Sequence, residues 1–286
     1  MRWEDERRSE NIEDRRGMRF GGPGIKLGGL GLVVVLVVSL FTGIDPSALL
    51  GMLEGGAPTQ QVQQAPTGAP SANDKQADFV AAVLGSTEDT WGRIFADHGA
   101  RYQPPHLVLF DDATPSACGM GQAAMGPFYC PGDRKVYIDL RFFRELDQRF
   151  GAPGDFARAY VVAHEVGHHV QNLVGTAEKV DRAMARGSRS GASSLQVRME
   201  LQADCYAGVW ARNAGERRKL LEPGDVEEGL RAAAAIGDDT LQRRAQGRVA
   251  PESWTHGSSA QRVRWFRTGY ESGQLESCDT FSAPQL

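Results

Sequence analysis

The sequence places two histidines four residues apart, with a glutamate beside the first, in the string HEVGH at 164–168. On a helix, residues four apart lie one turn apart on the same face, roughly 5–6 Å between Cβ atoms, so His164 and His168 can reach one metal ion. This pair suits zinc, and Glu165 can act as general base on a water molecule whose pKa zinc lowers toward about 7. The spacing predicts a zinc site, the alternative being ordinary helix histidines beside an incidental glutamate.

A catalytic zinc ion usually has a third protein ligand. The longer motif with a third histidine does not fit, because Gln171 and Val174 occupy its glycine and histidine positions. Downstream, Glu200 and Asp204 stand four apart in an apolar string, where unpaired carboxylates are costly to bury. We expect Glu200 to ligate zinc and Asp204 to accept a proton from a ligand histidine. A solvated acidic face is the alternative, and Cys205 is a rival ligand about 100° around the helix.

Two long helices must hold these residues. Apolar spacing predicts one that Asp155 caps and Gly175 ends, and a second over 194–213. The other predicted elements are helices at 78–84, after Ser86 (with Asp89 completing a capping box), 142–150, 225–244 and 259–271, and strands at 107–110 and 136–140. The last strand is either an internal strand or an edge that binds extended substrate. The predicted fold class is α+β, mostly helical with a small β-sheet.

An uncharged stretch of 18 residues, rich in Val and Leu, spans 27–44. As a helix it would extend roughly 27 Å, close to the hydrocarbon thickness of a bilayer. A buried core helix is disfavoured because no polar face repeats at helical spacing. A cleaved signal peptide is disfavoured because 26 residues of mixed charge come first and no small-residue cleavage site follows. We therefore predict one transmembrane helix.

Basic residues near this segment predict its orientation. They cluster before it, and the next basic residue after it is Lys75. We expect residues 1–26 to be a cytoplasmic tail, and residues 45–75, rich in Gly, Pro and Gln, to be a flexible linker. Residues 76–286 would then form a catalytic domain on the periplasmic or extracellular side of the cell (inner) membrane.

The net charge and the cysteines indicate which partners and which compartment to expect. The chain has 32 basic and 36 acidic residues, a net charge of -4, so it lacks the positive field that nucleic-acid binding needs. Cysteines of an exported domain tend to pair. We expect Cys118 to pair with Cys130 and Cys205 with Cys278, while the two other connectivities stay open.

Four segments of the chain also carry a family resemblance. They are GPFYCPGDRKVYIDLRFF, GDFARAYVVAHEVGHHVQNLVG, ELQADCYAGVW and SWTHGSSAQRVRWFRTGYESG, the last followed by Cys278. In this order they resemble the bacterial putative neutral zinc metallopeptidase family, whose members have an N-terminal membrane anchor, from about residue 76 to the end. More distantly the arrangement is similar to gluzincins of the Ste24/HtpX-like group. The resemblance implies a gluzincin-like domain with one zinc ion on His164, His168 and Glu200, Glu165 as base and Asp204 behind the ligands.

The resemblance also points to Thr255-His256-Gly257 and to Arg262. They resemble the T-H-P-x-x-x-x-R element of the Ste24/HtpX-like group, whose histidine is placed near the metal, although Gly257 replaces the proline. His256 could then donate to the carbonyl oxygen as it gains charge, or it could be structural, near Trp254 and Trp265. Arg262 either pairs with a site carboxylate or is a surface cation. The remaining histidines are expected to be structural: His98, His106 and His169.

Together these features predict a membrane-anchored zinc peptidase, more narrowly an endopeptidase. Its partners would be peptides or proteins of the cell envelope, with the bilayer contacted through residues 27–44. One alternative is a zinc-bound but inactive adaptor that holds envelope proteins. Another is a zinc hydrolase that acts on cell-wall amides.

Overall fold

The computed structural model describes residues 1–18, 73–185 and 190–286, and this part of the chain contains eight α-helices and six short strands. The strands are β1 (Ile12–Asp14), β2 (His106–Leu109), β3 (Ala113–Ser116), β4 (Gly119–Gln122), β5 (Phe128–Cys130) and β6 (Lys135–Ile138). The helices are α1 (Lys75–Asp97), α2 (Arg141–Gln148), α3 (Asp155–Leu173), α4 (Thr176–Met184), α5 (Leu195–Arg218), α6 (Asp225–Ala235), α7 (Asp238–Gln246) and α8 (Ser259–Ser272). The predicted α+β class, mostly helical with small sheets, is confirmed.

Four of the strands form one sheet in the order β1-β2-β6-β5. Strands β1, β2 and β6 are parallel, and β5 pairs antiparallel with β6. Strands β3 and β4 form a separate antiparallel hairpin. Strand β6 is therefore internal, and of the two readings for residues 136–139 the structure selects the internal strand. In the described sheet, β5 is the edge strand on the side away from β1.

The N-terminal segment belongs to the same folded unit as the rest of the described chain, whereas the sequence predicted a separate tail. Strand β1 pairs residue by residue with Leu107–Leu109. The ring of Trp3 meets Phe79 edge-on, with centroids 5.4 Å apart, and its Nε1 donates to Asp155. Two of the basic residues that suggested a cytoplasmic tail form ion pairs here: Arg15 with Glu13 at 2.7 Å and Arg16 with Asp74 at 2.5 Å.

This packing bears on the predicted membrane arrangement. Residues of one sheet lie on one side of a membrane, whereas a single crossing at 27–44 would separate β1 from β2. The predicted opposite locations for residues 1–26 and the domain are thus incompatible with the sheet. Residues 27–44, and the predicted linker up to residue 72, lie outside the described residues. None of the helices in the described ranges has the length and apolarity needed to span a bilayer.

Two helix predictions differ from the structure. The two helices expected on either side of Ser86 are one continuous helix, α1, because Gly85 and Ser86 serve tertiary contacts. A Cβ at Gly85 would lie 2.3 Å from the Arg7 carbonyl oxygen, and Ser86 accepts a hydrogen bond from Trp210. Conversely, the helix expected over 225–244 is broken between α6 and α7, where Asp238 turns to bind the loop before α8.

The helices α3, α5, α6 and α8 pack together, and their apolar faces form most of the core. Tyr160, Trp210 and Phe266 are among the fully buried aromatic side chains at these contacts. Both predicted disulfides are present. Cys118–Cys130 joins the β3–β4 hairpin to β5, and Cys205–Cys278 joins α5 to the C-terminal turn. The core and the disulfides hold α3 and α5 side by side, and these two helices carry the histidine pair and Glu200.

Candidate metal centre and active site

Helix α3 presents the histidine pair. It begins at Asp155, capped by Gly154 rather than by Asp155 itself, and it ends at Leu173. His164 and Glu165 are each 7 % exposed, and the rings of His164 and His168 lie 4.8 Å apart at their centroids, nearly perpendicular. The predicted spacing of one helical turn therefore brings both imidazoles to one face, beside a cavity that Glu165 also lines.

Glu200 on α5 completes a three-donor cluster. Its Oε2 lies 3.3 Å from Nε2 of His164 and 3.4 Å from Nε2 of His168. All three potential ligand atoms lie within 4.8 Å of one another. Donors about 2.0–2.1 Å from a tetrahedral zinc ion are separated by about 3.3–3.4 Å, so these distances fit a zinc ion. The donor types, two imidazoles and one carboxylate, are those of catalytic zinc sites that leave a position for water.

A glycine inside the histidine motif allows this approach of the two helices. A Cβ on Gly167 would lie 2.9 Å from the backbone oxygen of Ala203, closer than real Cβ contacts allow. Residue 167 therefore contacts the α5 backbone directly, and Glu200 on the preceding turn comes within reach of the imidazoles. Sequence reasoning treated this position only as a spacer within the motif.

The Nδ1 atom of His164 is held by a buried ionic cluster. It binds Oδ1 of Asp204 at 2.8 Å, and Asp204 is itself bound by Arg262 through two nitrogens, each at 2.9 Å. Tyr160 donates to Asp204 at 2.5 Å and accepts from Arg262. With Nδ1 engaged as a donor to Asp204, Nε2 is the nitrogen of His164 that faces the cluster and is available to a metal ion. Arg262 is thus paired with a site carboxylate, one of its two predicted roles.

The Nδ1 atom of His168 is held by neutral amides instead. It lies 2.9 Å from Oε1 of Gln171, whose Nε2 donates to the Met199 carbonyl and to Gln202. Gln202 then donates to the carbonyl of Cys278, at the disulfide that fixes the C-terminal turn. This chain of buried amides orients the second imidazole and ties it to α5 and to the C-terminal turn.

The charges of the cluster favour a bound cation. Burial opposes ionisation of Asp204 and Glu200, yet their cationic neighbours lower both pKa values, that of Asp204 to about 2 and that of Glu200 well below its usual range. Burial likewise disfavours the charged imidazole, but Asp204 and Glu200 raise the pKa of His164 to about 9. The carboxylates therefore stay ionised, and the site binds protons or a metal ion in their field.

His256 lies in the loop before α8 and lines the same cavity, with about half of its side chain exposed. Asp238 fixes this loop. Its Oδ2 accepts three consecutive backbone N–H groups, from Thr255 at 2.8 Å, His256 at 2.7 Å and Gly257 at 3.0 Å. Its Oδ1 lies 3.4 Å from Nδ1 of His256. The structure thus places His256 at the cavity that holds the donor cluster, with Nδ1 near both the Thr255 hydroxyl, 2.9 Å away, and Asp238.

His169 points away from the donor cluster, as expected of a packed helix residue. Its side chain is fully buried, its Nε2 lies 2.6 Å from the Gln103 carbonyl and its Nδ1 lies 3.0 Å from the Tyr129 hydroxyl. Burial lowers the pKa of His169 to about 4, only partly opposed by the bond to Gln103. His98 and His106 lie outside the cavity.

Several residues of the site were not predicted. The amides Gln171 and Gln202, the hydroxyl of Tyr160 and the carboxylate of Asp238 were all missed. Two of them carried a usable signal, because Tyr160 precedes His164 by four residues and Gln171 follows His168 by three, so each shares the ligand face of α3. Cys205, the rival ligand, is in a disulfide.

Comparison with known proteins agrees with this picture. A sequence model of the family described as "Putative neutral zinc metallopeptidase" matches residues 1–281, which includes the N-terminal segment. The chain is 47 % identical over 289 residues to the uncharacterized protein YpfJ of Escherichia coli strain K12, covering 98 % of this chain and 99 % of that protein. It is 42 % identical to the uncharacterized protein Rv2575 of Mycobacterium tuberculosis strain H37Rv, covering 87 % and 86 %. No solved structure matches the chain significantly, so the likeness to gluzincins stays a prediction.

Proposed function

Because the chain belongs to the "Putative neutral zinc metallopeptidase" family, we propose that it is a zinc-dependent peptidase, and more narrowly an endopeptidase. The observation that carries the proposal is the donor geometry, in which Nε2 of His164 and of His168 face one oxygen of Glu200 at 3.3 and 3.4 Å. These three residues would hold a zinc ion, which would supply Lewis acidity to polarise a peptide carbonyl and to lower the pKa of a water molecule.

The chain's own residues then move the protons. Glu165 accepts a proton from the attacking water and afterwards donates it to the leaving amine. His256 donates a hydrogen bond to the carbonyl oxygen as negative charge develops there. Arg262 stays away from the substrate, because its side chain is buried against Asp204, and its role is to keep that carboxylate ionised and in place behind His164.

The proposal extends to where the protein acts. The domain, together with residues 1–18, would be exported and attached to the cell membrane by the uncharged segment 27–44, which in this arrangement would enter the bilayer without crossing it. Two disulfides support an oxidising compartment. This revises the predicted cytoplasmic location of the N-terminus, because β1 shares a sheet with β2. Substrates would be peptides or proteins of the cell envelope, without nucleic acid. Labelling of a cysteine introduced at Glu4 by a membrane-impermeant maleimide in intact cells tests this location, and labelling only after lysis contradicts it.

The activity itself is tested with the purified full chain. We expect about one zinc ion per chain, cleavage of denatured casein that stops with a chelator, and its return when zinc is added. The variant Glu165→Gln should keep its zinc and lose cleavage, whereas Glu178→Gln, at an exposed position on α4, should keep both. Peptide binding without cleavage in the zinc-loaded protein would favour the inactive adaptor. Degradation of cell wall but not of protein would favour the amide hydrolase.

A further inference from the structure

The cavity that contains the donor cluster has a volume of about 660 Å³ and continues well beyond it. A cluster of three polar donors occupies only part of such a space. Besides the donor cluster, the cavity is lined by apolar side chains from α2, α3, α7 and the loop segments next to them. We name this set the apolar subsite: Met125, Phe142, Phe150, Val161, Ile236 and Leu241.

The subsite is a neighbour of the catalytic groups, because Val161 precedes His164 by about one turn of α3. The residues that form the subsite pack against one another. The rings of Phe142 and Phe150 are 6.2 Å apart, and Arg244 on α7 donates to the Phe150 carbonyl and to that of Arg149. Across from them, a Cβ at Gly126 would lie 3.6 Å from the Phe142 ring, so the segment after Met125 packs on the same ring.

The charges near the subsite are balanced. Glu145 and Arg149 line the cavity here, both are more than half exposed, and they lie 3.4 Å apart as an ion pair. A side chain bound here would therefore not face an unpaired charge from either residue. Met125, by contrast, is 69 % exposed, the most exposed large apolar residue of the described chain. An apolar side chain that entered would cover surface that now faces water.

We propose that the apolar subsite binds one bulky apolar side chain of the substrate, next to the bond that is cleaved. The substrates are then extended polypeptide segments that expose residues such as Leu, Phe or Met, as unfolded proteins do and compact folded ones do not. The proposal rests on the proposed function, since it assigns the specificity of that same site. A hydrophobic pocket of this kind discriminates by about 10- to 200-fold.

The chain offers a matched pair of residues for the test. Met120 and Met125 are both exposed methionines in the segment closed by the Cys118–Cys130 disulfide, at 53 % and 69 % exposure. Of these two residues, only Met125 lines the cavity. Glutamate at either position should be tolerated by the fold, whereas only at residue 125 does it bring a charge to the subsite.

The experiment measures binding and cleavage separately. Fluorescent Gly-rich peptides with one central Phe, Leu, Ala or Asp are titrated against the zinc-loaded full-length Glu165→Gln protein, which holds peptide without cutting it. We expect Kd values at least about tenfold lower for Phe and Leu than for Ala and Asp. Met125→Glu in this background should reduce the ratio below about threefold, Met125→Leu should keep it, and Met120→Glu should leave it unchanged.

Cleavage of reduced, carboxymethylated casein by the unaltered protein gives the second readout. Mass spectrometry should find bulky apolar residues enriched at one fixed position beside the cleaved bond. Equal Kd values for all four peptides, or equal effects of Met125→Glu and Met120→Glu, would overturn the subsite even if casein is cut. Absence of cleavage combined with the expected Kd ratio would count against the peptidase and leave the subsite supported.

Discussion

Asp238 accepts the backbone N–H of His256 at 2.7 Å, and the same carboxylate lies 3.4 Å from the Nδ1 atom of that histidine. This carboxylate fixes the loop, and together with the Thr255 hydroxyl, 2.9 Å from Nδ1, it orients the ring. Partial burial lowers the pKa of His256, but the bond to Asp238 and the charge of Glu200 raise it above the ordinary value. When Nδ1 carries the proton and donates it to Asp238 or to the Thr255 hydroxyl, 2.9 Å away, Nε2 can donate only from the protonated ring.

Replacing Asp238 by Asn should therefore change the pH dependence of cleavage. Activity should fall at high pH as His256 loses its proton, and without the carboxylate this fall should begin at lower pH. We expect kcat to decrease by about tenfold near neutral pH, with a smaller change in KM, because the loop is loosened as well. The measurement is kcat and kcat/KM against pH.

The neighbouring variant Asp239→Asn is the control, because Asp239 binds Ser259 at the start of α8 and not His256. It should lower stability without moving the alkaline limb of the profile. Equal displacement of that limb in both variants would contradict the positioning role of Asp238.

Gly167→Ala should weaken the zinc site without altering any ligand. The added methyl group would lie 2.9 Å from the Ala203 oxygen, so α3 and α5 must separate. We expect a loss of about 1–3 kcal/mol in the free energy of unfolding and a lower affinity for zinc. Gly92→Ala is the control, since a Cβ there meets nothing within 4 Å and should stabilise α1 by about 0.5–1 kcal/mol. Denaturant titrations with and without zinc measure both.

Sequence reasoning found the residues whose chemistry is explicit in their type and spacing. His164, His168, Glu200 and Asp204 were identifiable because a buried imidazole pair and two carboxylates in an apolar string have few inexpensive structural roles. Gly167 was inside the motif, yet its contact with Ala203 depends on the crossing of two helices, which a linear pattern does not encode.

Other features could not be predicted, because nothing in the local composition of their residues indicates the structure that they form. Strand β1 has only three residues, and two of them are acidic, so its sequence looks like part of a charged tail. Its partners are distant in sequence, as when Glu13 forms an ion pair with Lys135. Asp238 follows a run of alanines that continues a helical pattern, so the break before α7 was not predicted. Such elements are fixed by tertiary contacts that override local propensity.

Gln171→Leu should lower zinc affinity although Gln171 is not a ligand. Its Oε1 accepts from Nδ1 of His168, and an apolar residue would leave that buried N–H unpaired and the ring less constrained. Loss of such a partner typically weakens metal binding by about 10–100-fold. Competition against a zinc-binding dye measures it. Asn172→Leu, which removes a neighbouring amide bonded to Tyr129 rather than to His168, should leave zinc affinity within about threefold.

His169 and His98 should affect acid stability in opposite directions. Burial lowers the pKa of His169 to about 4, so the folded protein binds a proton there less readily than the unfolded chain does. Stability from the neutral ring is complete above about pH 6.5 and is lost as the pH falls toward 4, on the order of 3 kcal/mol by linkage. His98, on the surface, has its pKa raised by the Ile94 carbonyl and by Glu276. Its contribution is present at low pH and is lost as the pH rises through the folded-state pKa.

We therefore expect His169→Gln to flatten the decline in the free energy of unfolding between pH 6.5 and 4, while lowering stability at pH 8 because the bond to Gln103 changes. His98→Gln should instead lower stability at pH 5 more than at pH 8. Denaturant unfolding of the zinc-free protein across this range measures both, since chelation removes the metal as a second source of pH dependence. Parallel curves for His169→Gln and the unaltered protein would show that residue 169 exchanges no protons on unfolding, which is incompatible with a neutral, buried imidazole of depressed pKa.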